Sequence, residues 1–317
     1  MMMKPLVVIA VGGNSLISDA KHMSVMDQYL AAGQTSCHIA SLVAQGYRVL
    51  ITHGNGPQVG FILMRSELAR SVLHEVPLES CVADTQGAIG YQMEQTLRNE
   101  LRQRGLQHEL ATLVTQVVVS PDDPAFSNPD KPIGPFYSQE DAHRHSQHDG
   151  WTMREDAGRG WRRVVPSPHP LEVVEEKVIR ILLDHDVVVL AAGGGGIPVV
   201  RTKNGQLEGC PAVIDKDAAS CLLAKRLQAH TLIISTSVDK VMLHYGTPRQ
   251  QALDKLTVDE AERYLQEGHF AAGSMRPKIE AAIDFLKAGG ARVIITQPHL
   301  LEQAIEGRDG THITRHA

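Results

Sequence analysis

The chain has 317 residues, 43% of them hydrophobic, and a formal net charge of -5. This length and composition allow a large buried core, arranged as one large α/β domain or as two lobes. The acidic balance gives no basic surface for nucleic acid, and no apolar run reaches the length needed to span a membrane. The first residues lack the apolar stretch and cleavage site of a signal peptide, so we expect a cytoplasmic protein without nucleic-acid or membrane partners.

Strand and helix patterns alternate along the chain, which predicts an α/β fold with an open, mainly parallel central sheet and helices on both faces. Helices are predicted at residues 27–46 (with Asp27 as N-cap), 57–73, 85–104, 171–183, 217–228, 258–266, 277–287 and 299–305. Strands are predicted at 113–119, 230–235 and 291–296, and Asn204-Gly205 predicts a hairpin turn. The acidic residues 172–176 are interpreted as the solvated first turns of a helix.

Three further apolar segments run directly into glycine-rich loops. Residues 7–11 precede Gly12-Gly13-Asn14, residues 49–52 precede His53-Gly54-Asn55-Gly56, and residues 187–192 precede four consecutive glycines that include Gly194 and Gly195. Short valine-rich runs are typical of strands buried on both faces of a parallel sheet. Glycine has no Cβ, so backbone N–H groups in such loops can approach an anion closely. Because ligands collect at the carboxyl ends of strands in open α/β sheets, these loops predict one long phosphate site. Three ordinary tight turns are the alternative.

Residues 120–170 interrupt this alternation. Eight prolines in the segment exclude long helices and central strands from its two ends. Its aromatic residues, among them Trp151 and Trp161, give it a core of its own. We therefore predict an inserted, protruding lobe within a single domain of residues 1–317, placed to act as a lid over the phosphate site. A surface excursion without function is the alternative.

Five long motifs resemble the carbamate kinase family of the amino-acid kinase superfamily. They are THGNGPQVG (52–60), PDDPAFSNPDKPIGPF (121–136), AAGGGGIPV (191–199), AVIDKDAA (212–219) and GHFAAGSMRPKIEAA (268–282). The resemblance runs in order from about Val7 to Thr314 and implies the amino-acid kinase fold. It implies reversible phosphoryl transfer between ATP and carbamate, with Mg²⁺ accompanying ATP or ADP. It also implies a cytoplasmic homodimer of arginine metabolism, with the nucleotide bound by about residues 212–317 and carbamoyl phosphate by the N-terminal part.

The chemistry of that reaction agrees with the residue types in the motifs. Phosphoryl transfer between two oxyanions needs positive charge and backbone donors around the transferring group, with donor and acceptor in line. Carbamate is already an anion, so no general base is needed. By resemblance, Lys216 and Lys278 flank the transferring phosphate, Lys131 reaches from the lobe to the carbamoyl phosphate, and Asp217 holds the lysines in place. Solvated surface lysines are the alternative that composition alone favours.

The resemblance also implies the binding residues. Gly12, Gly13 and Asn14 would contact phosphate, Gly54, Asn55 and Gly56 would bind the carbamoyl end, and Gly194 and Gly195 would complete the cradle. The nucleotide would be held by Thr236, Val238, Asp239, Tyr245, Gly273, Ser274 and Met275. A role for Met275 in core packing is an equal alternative. His53 is interpreted as a loop-packing residue, since the reaction needs neither an acid nor a base.

The segment 81–88 reads CVADTQGA, where many family members read C-G-A-M-S/T-Q-G-M. We expect Val82, Asp84 and Ala88 to alter either the floor of the carbamoyl site or a dimer contact. Two alternatives therefore stay open beside carbamate kinase: a catalytically silent nucleotide-binding paralogue, and a kinase acting on a close carbamate analogue. A metal site at His143, His145 and His148 is disfavoured, because histidines in polar segments usually face water.

Overall fold

The computed structural model describes residues 5–12, 24–156, 158–271 and 273–316. Its helices are α1 (Val25–Ala44), α2 (Gln58–Ala69), α3 (Leu78–Gln103), α4 (Gln139–His148), α5 (Glu176–Asp184), α6 (Lys216–Arg226), α7 (Val258–Gln266), α8 (Met275–Lys287) and α9 (Leu301–Ile305). The first strands are β1 (Leu6–Val11), β2 (Arg48–His53), β3 (Leu110–Thr112), β4 (Gln116–Val119), β5 (Lys131–Tyr137), β6 (Met153–Glu155), β7 (Trp161–Val165) and β8 (Pro170–Val173). The remaining strands are β9 (Val188–Leu190), β10 (Ile197–Arg201), β11 (Leu207–Gly209), β12 (Thr231–Ser235), β13 (Val241–Leu243), β14 (Gln251–Leu253), β15 (Lys255–Thr257), β16 (Arg292–Thr296) and β17 (Thr311–Thr314).

An eight-stranded sheet with the order β15-β17-β16-β12-β1-β2-β9-β3 forms the centre of the fold. Its neighbouring strands pair in parallel except β16 and β17, which are antiparallel. The prediction of an α/β fold with a mainly parallel central sheet is therefore confirmed. A second sheet with the order β11-β10-β4-β8 adjoins it, and β10 and β11 form the antiparallel pair predicted around Asn204-Gly205.

The unbroken apolar sequence of β1 follows from burial on both faces of the sheet. All six residues of β1 are buried. Val8 packs into one hydrophobic cluster with Leu50 and Ile234, whereas Val7 and Ile9 pack into another on the opposite face. Successive side chains of a strand point to opposite faces, so a strand covered by helices on both sides needs apolar residues at every position.

Helices α1 and α3 begin earlier than predicted for identifiable reasons. Asp27 is the third residue of α1 and Ser24 is its N-cap, because the Ser24 hydroxyl accepts from the Asp27 N–H while the Asp27 carboxylate accepts from the Ser24 N–H. α3 begins at Leu78, seven residues before the predicted start. The buried residues Leu78, Cys81 and Val82 belong to this added length and share a hydrophobic cluster with Ile133 of β5 and Val165 of β7, so packing against these two strands extends the helix.

Two other predicted elements are wrong in part. Of the strand predicted at 113–119, only residues 116–119 form a strand, β4, whereas residues 113–115 link it to β3, which ends at Thr112, and carry the chain from the first sheet to the second. Glu172 lies in β8 rather than in the first turn of a helix, and α5 begins only at Glu176. The pairing of β8 with β4 outweighs the local preference of this acidic segment for a helix.

Within residues 120–170, strands β5, β7 and β6 form a separate antiparallel sheet, against which α4 packs. The Trp151 ring stacks on His145, with ring centroids 4.3 Å apart and planes 5° apart. The guanidinium of Arg163 lies 4.5 Å from the centroid of the same indole. Residues 120–170 therefore form the lobe, a segment with its own sheet, helix and ring contacts.

The lobe packs against helix α2. Gly60 of α2 approaches Gly134 of β5 so closely that a Cβ on Gly60 would overlap the Gly134 backbone. Arg163 of β7 pairs with Glu67 of α2 at 3.2 Å. Asp149 of the lobe pairs with Arg70, just after α2, at 2.9 Å. The same helix starts directly after the His53–Gly56 loop, so α2 joins that loop to the lobe.

None of the helices in the described ranges is long and apolar enough to cross a membrane.

Candidate active site

The N-terminus of α6 brings two ionisable side chains into the interior. Asp215 is the N-cap, and its carboxylate accepts hydrogen bonds from the N–H groups of Asp217 at 2.8 Å and Ala218 at 3.4 Å. The cap fixes the start of the helix, so Lys216 and Asp217 occupy its first two positions.

Asp217 lies between the two lysines predicted to flank the transferring phosphate. Its Oδ1 is 2.9 Å from Lys216 Nζ and its Oδ2 is 2.7 Å from Lys278 Nζ. Only 3% of Asp217 is exposed. Burial raises the pKa of this carboxyl, but the two lysines outweigh burial and hold the pKa well below its usual range. Asp217 is therefore a fixed anion that sets the positions of both ammonium groups.

Lys216 is further held at the end of the central strand. Its ammonium donates a hydrogen bond to the Ala10 carbonyl of β1 at 3.2 Å. Burial lowers the pKa of Lys216, against the attraction of Asp217. Lys278 comes from the first turn of α8. Two helices and the first strand thus bring a pair of cations to the carboxyl end of the sheet, as the motifs predict.

Lys131, at the start of β5, forms an ion pair with Asp215 at 2.6 Å. Burial raises the pKa of Asp215, but Lys131 reverses that effect and the pKa lies below its usual value. The lysine of the lobe therefore lies beside the N-cap of the helix that carries Lys216. Sequence reasoning missed Asp215; the signal available was an acid directly before Lys216, because a lysine that reaches into a cleft needs a counter-charge.

The glycine loops surround these charges. A Cβ on Gly194 would overlap the Asn55 amide, and one on Gly195 would overlap the Ile214 carbonyl two residues before Lys216. Both glycines have positive φ, 69° and 91°. The Gly54 N–H donates to the Val11 carbonyl at 3.0 Å, which joins the loop after β2 to the end of β1. Close approach and backbone conformation both require glycine here.

The loops after β1 and β2 carry the other predicted anion-binding residues. Gly12 follows β1 and is half-buried, whereas Gly13 and Asn14 lie outside the described residues. Gly56 has a φ of 52° and precedes α2. The Thr85 hydroxyl donates to Asn55 Oδ1 at 2.7 Å. Among the described residues, the buried Nδ2 of Asn55 has no hydrogen-bond partner, so this donor is free for a ligand oxygen.

His53 is buried between the loops. Its Nδ1 lies 3.1 Å from the Gly54 carbonyl, and its ring faces Gly193, where a Cβ would overlap it. Burial, with a smaller contribution from the nearby charge of Lys216, lowers the pKa of His53 to about 4. The ring is neutral at pH 7, which suits a packing role better than acid–base chemistry.

The predicted nucleotide residues lie at the ends of β12 and before α8. Thr236 follows β12, and its N–H donates to the Thr296 carbonyl at 2.8 Å. The chain after β13 approaches the segment before α8 where the rings of His244 and His269 lie 4.6 Å apart. Val238 is half-buried, and the residues at the surface of this region are Asp239, Tyr245, Gly273 and Ser274.

Met275 lies at the start of α8, three residues before Lys278, and packs against the main hydrophobic cluster. This position favours the interpretation of Met275 as a core residue. α8 nevertheless joins the predicted nucleotide residues before it to Lys278 in its first turn.

The departures from the family motif divide between two environments. Val82 is buried in a cluster with Val59, Ile133 and Val213, beneath the junction of the lobe with the sheet. Asp84 and Ala88 are exposed on α3. Only Val82 therefore lies near the floor of the site.

The histidines of α4 do not converge. His145 stacks on Trp151 and hydrogen-bonds Asp149, while His143 contacts Gln147. Over the part of the chain that the structure describes, no group of three or more metal-ligating side chains occurs.

Comparison with known proteins identifies relatives that match almost the whole chain. The amino acid kinase family model matches residues 5–297. The carbamate kinase-like protein YahI of Escherichia coli is 49% identical over 99% of this chain and 100% of its own length. The carbamate kinase of Pyrococcus horikoshii is 47% identical over 97% of this chain and 98% of its own. A solved structure, the carbamate kinase from Giardia lamblia bound to AMP-PNP, has a TM-score of 0.92 and 42% identity, with 99% of each chain covered.

Proposed function

We propose that this chain, which belongs to the carbamate kinase family of amino acid kinases, transfers a phosphoryl group reversibly between ATP and carbamate. The observation that carries the proposal is the arrangement of Lys216, Asp217 and Lys278, with 2.9 Å and 2.7 Å contacts, beside the glycine loops. The fixed anion of Asp217 holds the two lysines in place, so their positive charge is preorganised, and Asp217 itself does not act as a general base.

The residues have separable roles in this reaction. The backbone of Gly194 and Gly195 and the free amide donor of Asn55 face phosphate and carbamoyl oxygens, and need not reorganise when charge moves between them. Lys216 and Lys278 stabilise the charge on the transferring group, while Asp217 orients both. Carbamate attacks as an anion in line with the leaving ADP, so neutral His53 takes no proton. Lys131 approaches from the lobe to the carbamoyl phosphate side.

Mg²⁺ would accompany the nucleotide. Both oxygens of Asp217 lie beside lysine ammonium groups, at 2.9 Å and 2.7 Å, so a cation bound directly to this carboxylate would be repelled by both lysines. That donor set fits an ion held mainly by nucleotide phosphates and water, where it neutralises phosphate charge. We expect activity to require added Mg²⁺ and to survive treatment that removes zinc. Loss of activity together with stoichiometric bound zinc would contradict this assignment.

We infer a homodimer from an exposed apolar face on two helices that pack together. Val25, Met26 and Leu30 of α1 are 61–68% exposed, and Tyr91 of α3 is 56% exposed. The rings of Tyr29 and Tyr91 are 6.1 Å apart, so these side chains form one continuous face. Sedimentation should show a dimer that dissociates in Leu30→Asp. Val72→Asp, which changes an 83% exposed residue elsewhere, is the control.

The family resemblance also supports a cytoplasmic role in arginine metabolism. Cell fractionation and growth of a deletion strain on arginine test the two parts of that inference separately.

A coupled assay of ATP formation from ADP and carbamoyl phosphate tests the central proposal, with acetyl phosphate as the comparison substrate. Preference for carbamoyl phosphate is expected. ADP binding without ATP formation would instead identify a silent paralogue, and preference for another acyl phosphate would identify a kinase for a carbamate analogue.

A further inference from the structure

Gln86 of α3 makes three hydrogen bonds to backbone atoms outside its own helix. Its Nε2 donates to the carbonyls of Gly193 at 2.9 Å and Thr115 at 3.1 Å. Its Oε1 accepts from the Thr115 N–H at 2.8 Å. Gln86 is only 1% exposed, so these bonds are shielded from water. One side-chain amide thus ties α3 to the first of the four glycines and to the link between β3 and β4.

Thr115 extends this connection to the residue before the glycines. Its hydroxyl accepts a hydrogen bond from the Ala192 N–H at 2.9 Å and donates one to the Leu113 carbonyl at 2.8 Å. Thr115 is fully buried. The amide of Gln86 therefore holds the backbone of Thr115, and the side chain of Thr115 in turn anchors Ala192.

Ala192 is held in an unfavourable conformation. It has φ 49° and ψ 37°, in the left-handed region that disfavours a residue with a Cβ. Gly194, Gly195 and Gly196 also have positive φ, between 69° and 91°. Such a backbone persists only when its surroundings determine it. The hydrogen bonds between Gln86 and Gly193 and between Thr115 and Ala192 hold the start of the loop in this conformation.

Gly193 is also confined on its other side. A Cβ there would overlap His53 Nε2 and would lie 3.1 Å from Gln86 Cγ. Gly193 therefore fits between the side chains of His53 and Gln86. The next residues, Gly194 and Gly195, contact Asn55 and the Ile214 carbonyl, so a displacement at Gly193 would pass directly to the anion-binding part of the loop.

We propose that Gln86 is a positioning residue for phosphoryl transfer: it fixes the glycine loop through Gly193 and Thr115, so that the loop amides meet the transferring phosphate in a single geometry. This inference rests on the proposed function. Gln86 itself touches no reacting atom, and its effect on rate passes through the loop.

Gln86→Glu is the test variant, because it keeps the size of the side chain and replaces the donating amide nitrogen with an oxygen. Two carbonyls then face a carboxylate. A displacement of the loop by roughly 1 Å, caused by a change away from the reacting atoms, can lower kcat by about 100-fold. We expect that loss in kcat, with KM for ADP changed less than about threefold, since the predicted adenosine-binding residues lie in other segments. Gln92→Glu is the control, because it places the same change on the same helix at a residue 6% exposed.

Thr115→Val removes the hydroxyl that anchors Ala192 and keeps the shape of the side chain. If the two residues act through one loop, the double variant Gln86→Glu with Thr115→Val should lose little more kcat than the larger single effect. Independent, additive losses would contradict a shared role.

Hydrogen exchange of the amides of residues 192–196 gives a readout independent of activity. We expect faster exchange in Gln86→Glu than in Gln92→Glu when each variant is measured at the same interval below its own melting temperature. If the wild type forms no ATP, the proposed function is wrong. Faster exchange in Gln86→Glu would then still support Gln86 as the residue that holds the loop. Unchanged exchange and kcat, or equal losses in both glutamine variants, would overturn the inference.

Discussion

Lys131 and Asp215 form a 2.6 Å ion pair between the lobe and the N-cap of α6. Asp215 is one residue from Lys216 and two from Asp217, so a single turn of chain connects the lysine of the lobe to the buried charges of the site. An anionic substrate entering here would compete with Asp215 for Lys131.

Lys131→Ala should raise KM for carbamoyl phosphate more than KM for ADP, because the family resemblance assigns Lys131 to the carbamoyl phosphate and other residues to the nucleotide. Kinetics in which each substrate is varied separately measure the two effects. Lys177→Ala, an exposed lysine on α5, is the control. An equal or larger effect on ADP would assign Lys131 to the nucleotide instead.

Lys216→Ala should lower kcat by about 10²–10³, the usual effect of losing one donor that stabilises transition-state charge. It should also lower the melting temperature, since Asp217 then remains buried with Lys278 alone. Asp217→Asn, which leaves two lysines together, should destabilise by about 3–5 kcal/mol. Turnover and urea denaturation separate the two effects. Near-normal turnover in Lys216→Ala would refute its assignment.

His53 should make stability depend on pH in a defined window. Burial lowers its pKa from about 6.5 in the unfolded chain to about 4 in the fold. Between these values the unfolded state binds more protons, so the free energy of unfolding falls as pH drops from 6.5 to 4, by on the order of 3 kcal/mol. Urea denaturation at several pH values measures this slope.

His53→Gln removes that proton uptake and should flatten the slope relative to the wild type, while Asp215 and Asp217 continue to titrate in both proteins. Identical slopes in the two proteins would show that His53 is not the group responsible.

The lobe should exchange its amide hydrogens more slowly when carbamoyl phosphate binds than when ADP binds alone, because Lys131 must close on an anion and exclude water. Glu67→Gln should speed exchange in the ligand-free lobe, since it weakens the 3.2 Å contact with Arg163 that ties the lobe to α2. Glu140→Gln, on the exposed face of α4, is the control. Exchange that is unaffected by saturating carbamoyl phosphate would identify the lobe as a fixed buttress.

The amino-acid sequence by itself determined the class of fold and the composition of the site. Short valine-rich runs such as residues 7–11 are typical of strands covered on both faces, and the structure places β1 within a mainly parallel sheet. The glycines after these strands and the lysines within long motifs were visible without coordinates, because local backbone freedom and charge are properties of single residues. Lys216 and Lys278 do meet at one carboxylate.

Only the tertiary structure decided which distant groups contact one another. Asp215 pairs with Lys131 across 84 positions of sequence, and Gln86 reaches Gly193 across 107; no periodicity or local preference contains either contact. The start of α3 at Leu78 likewise depends on burial against β5 and β7. Hydrogen bonds and ion pairs between distant segments form only once the sheets have brought them together, so the sequence supplied the chemical groups and the packed fold set their geometry.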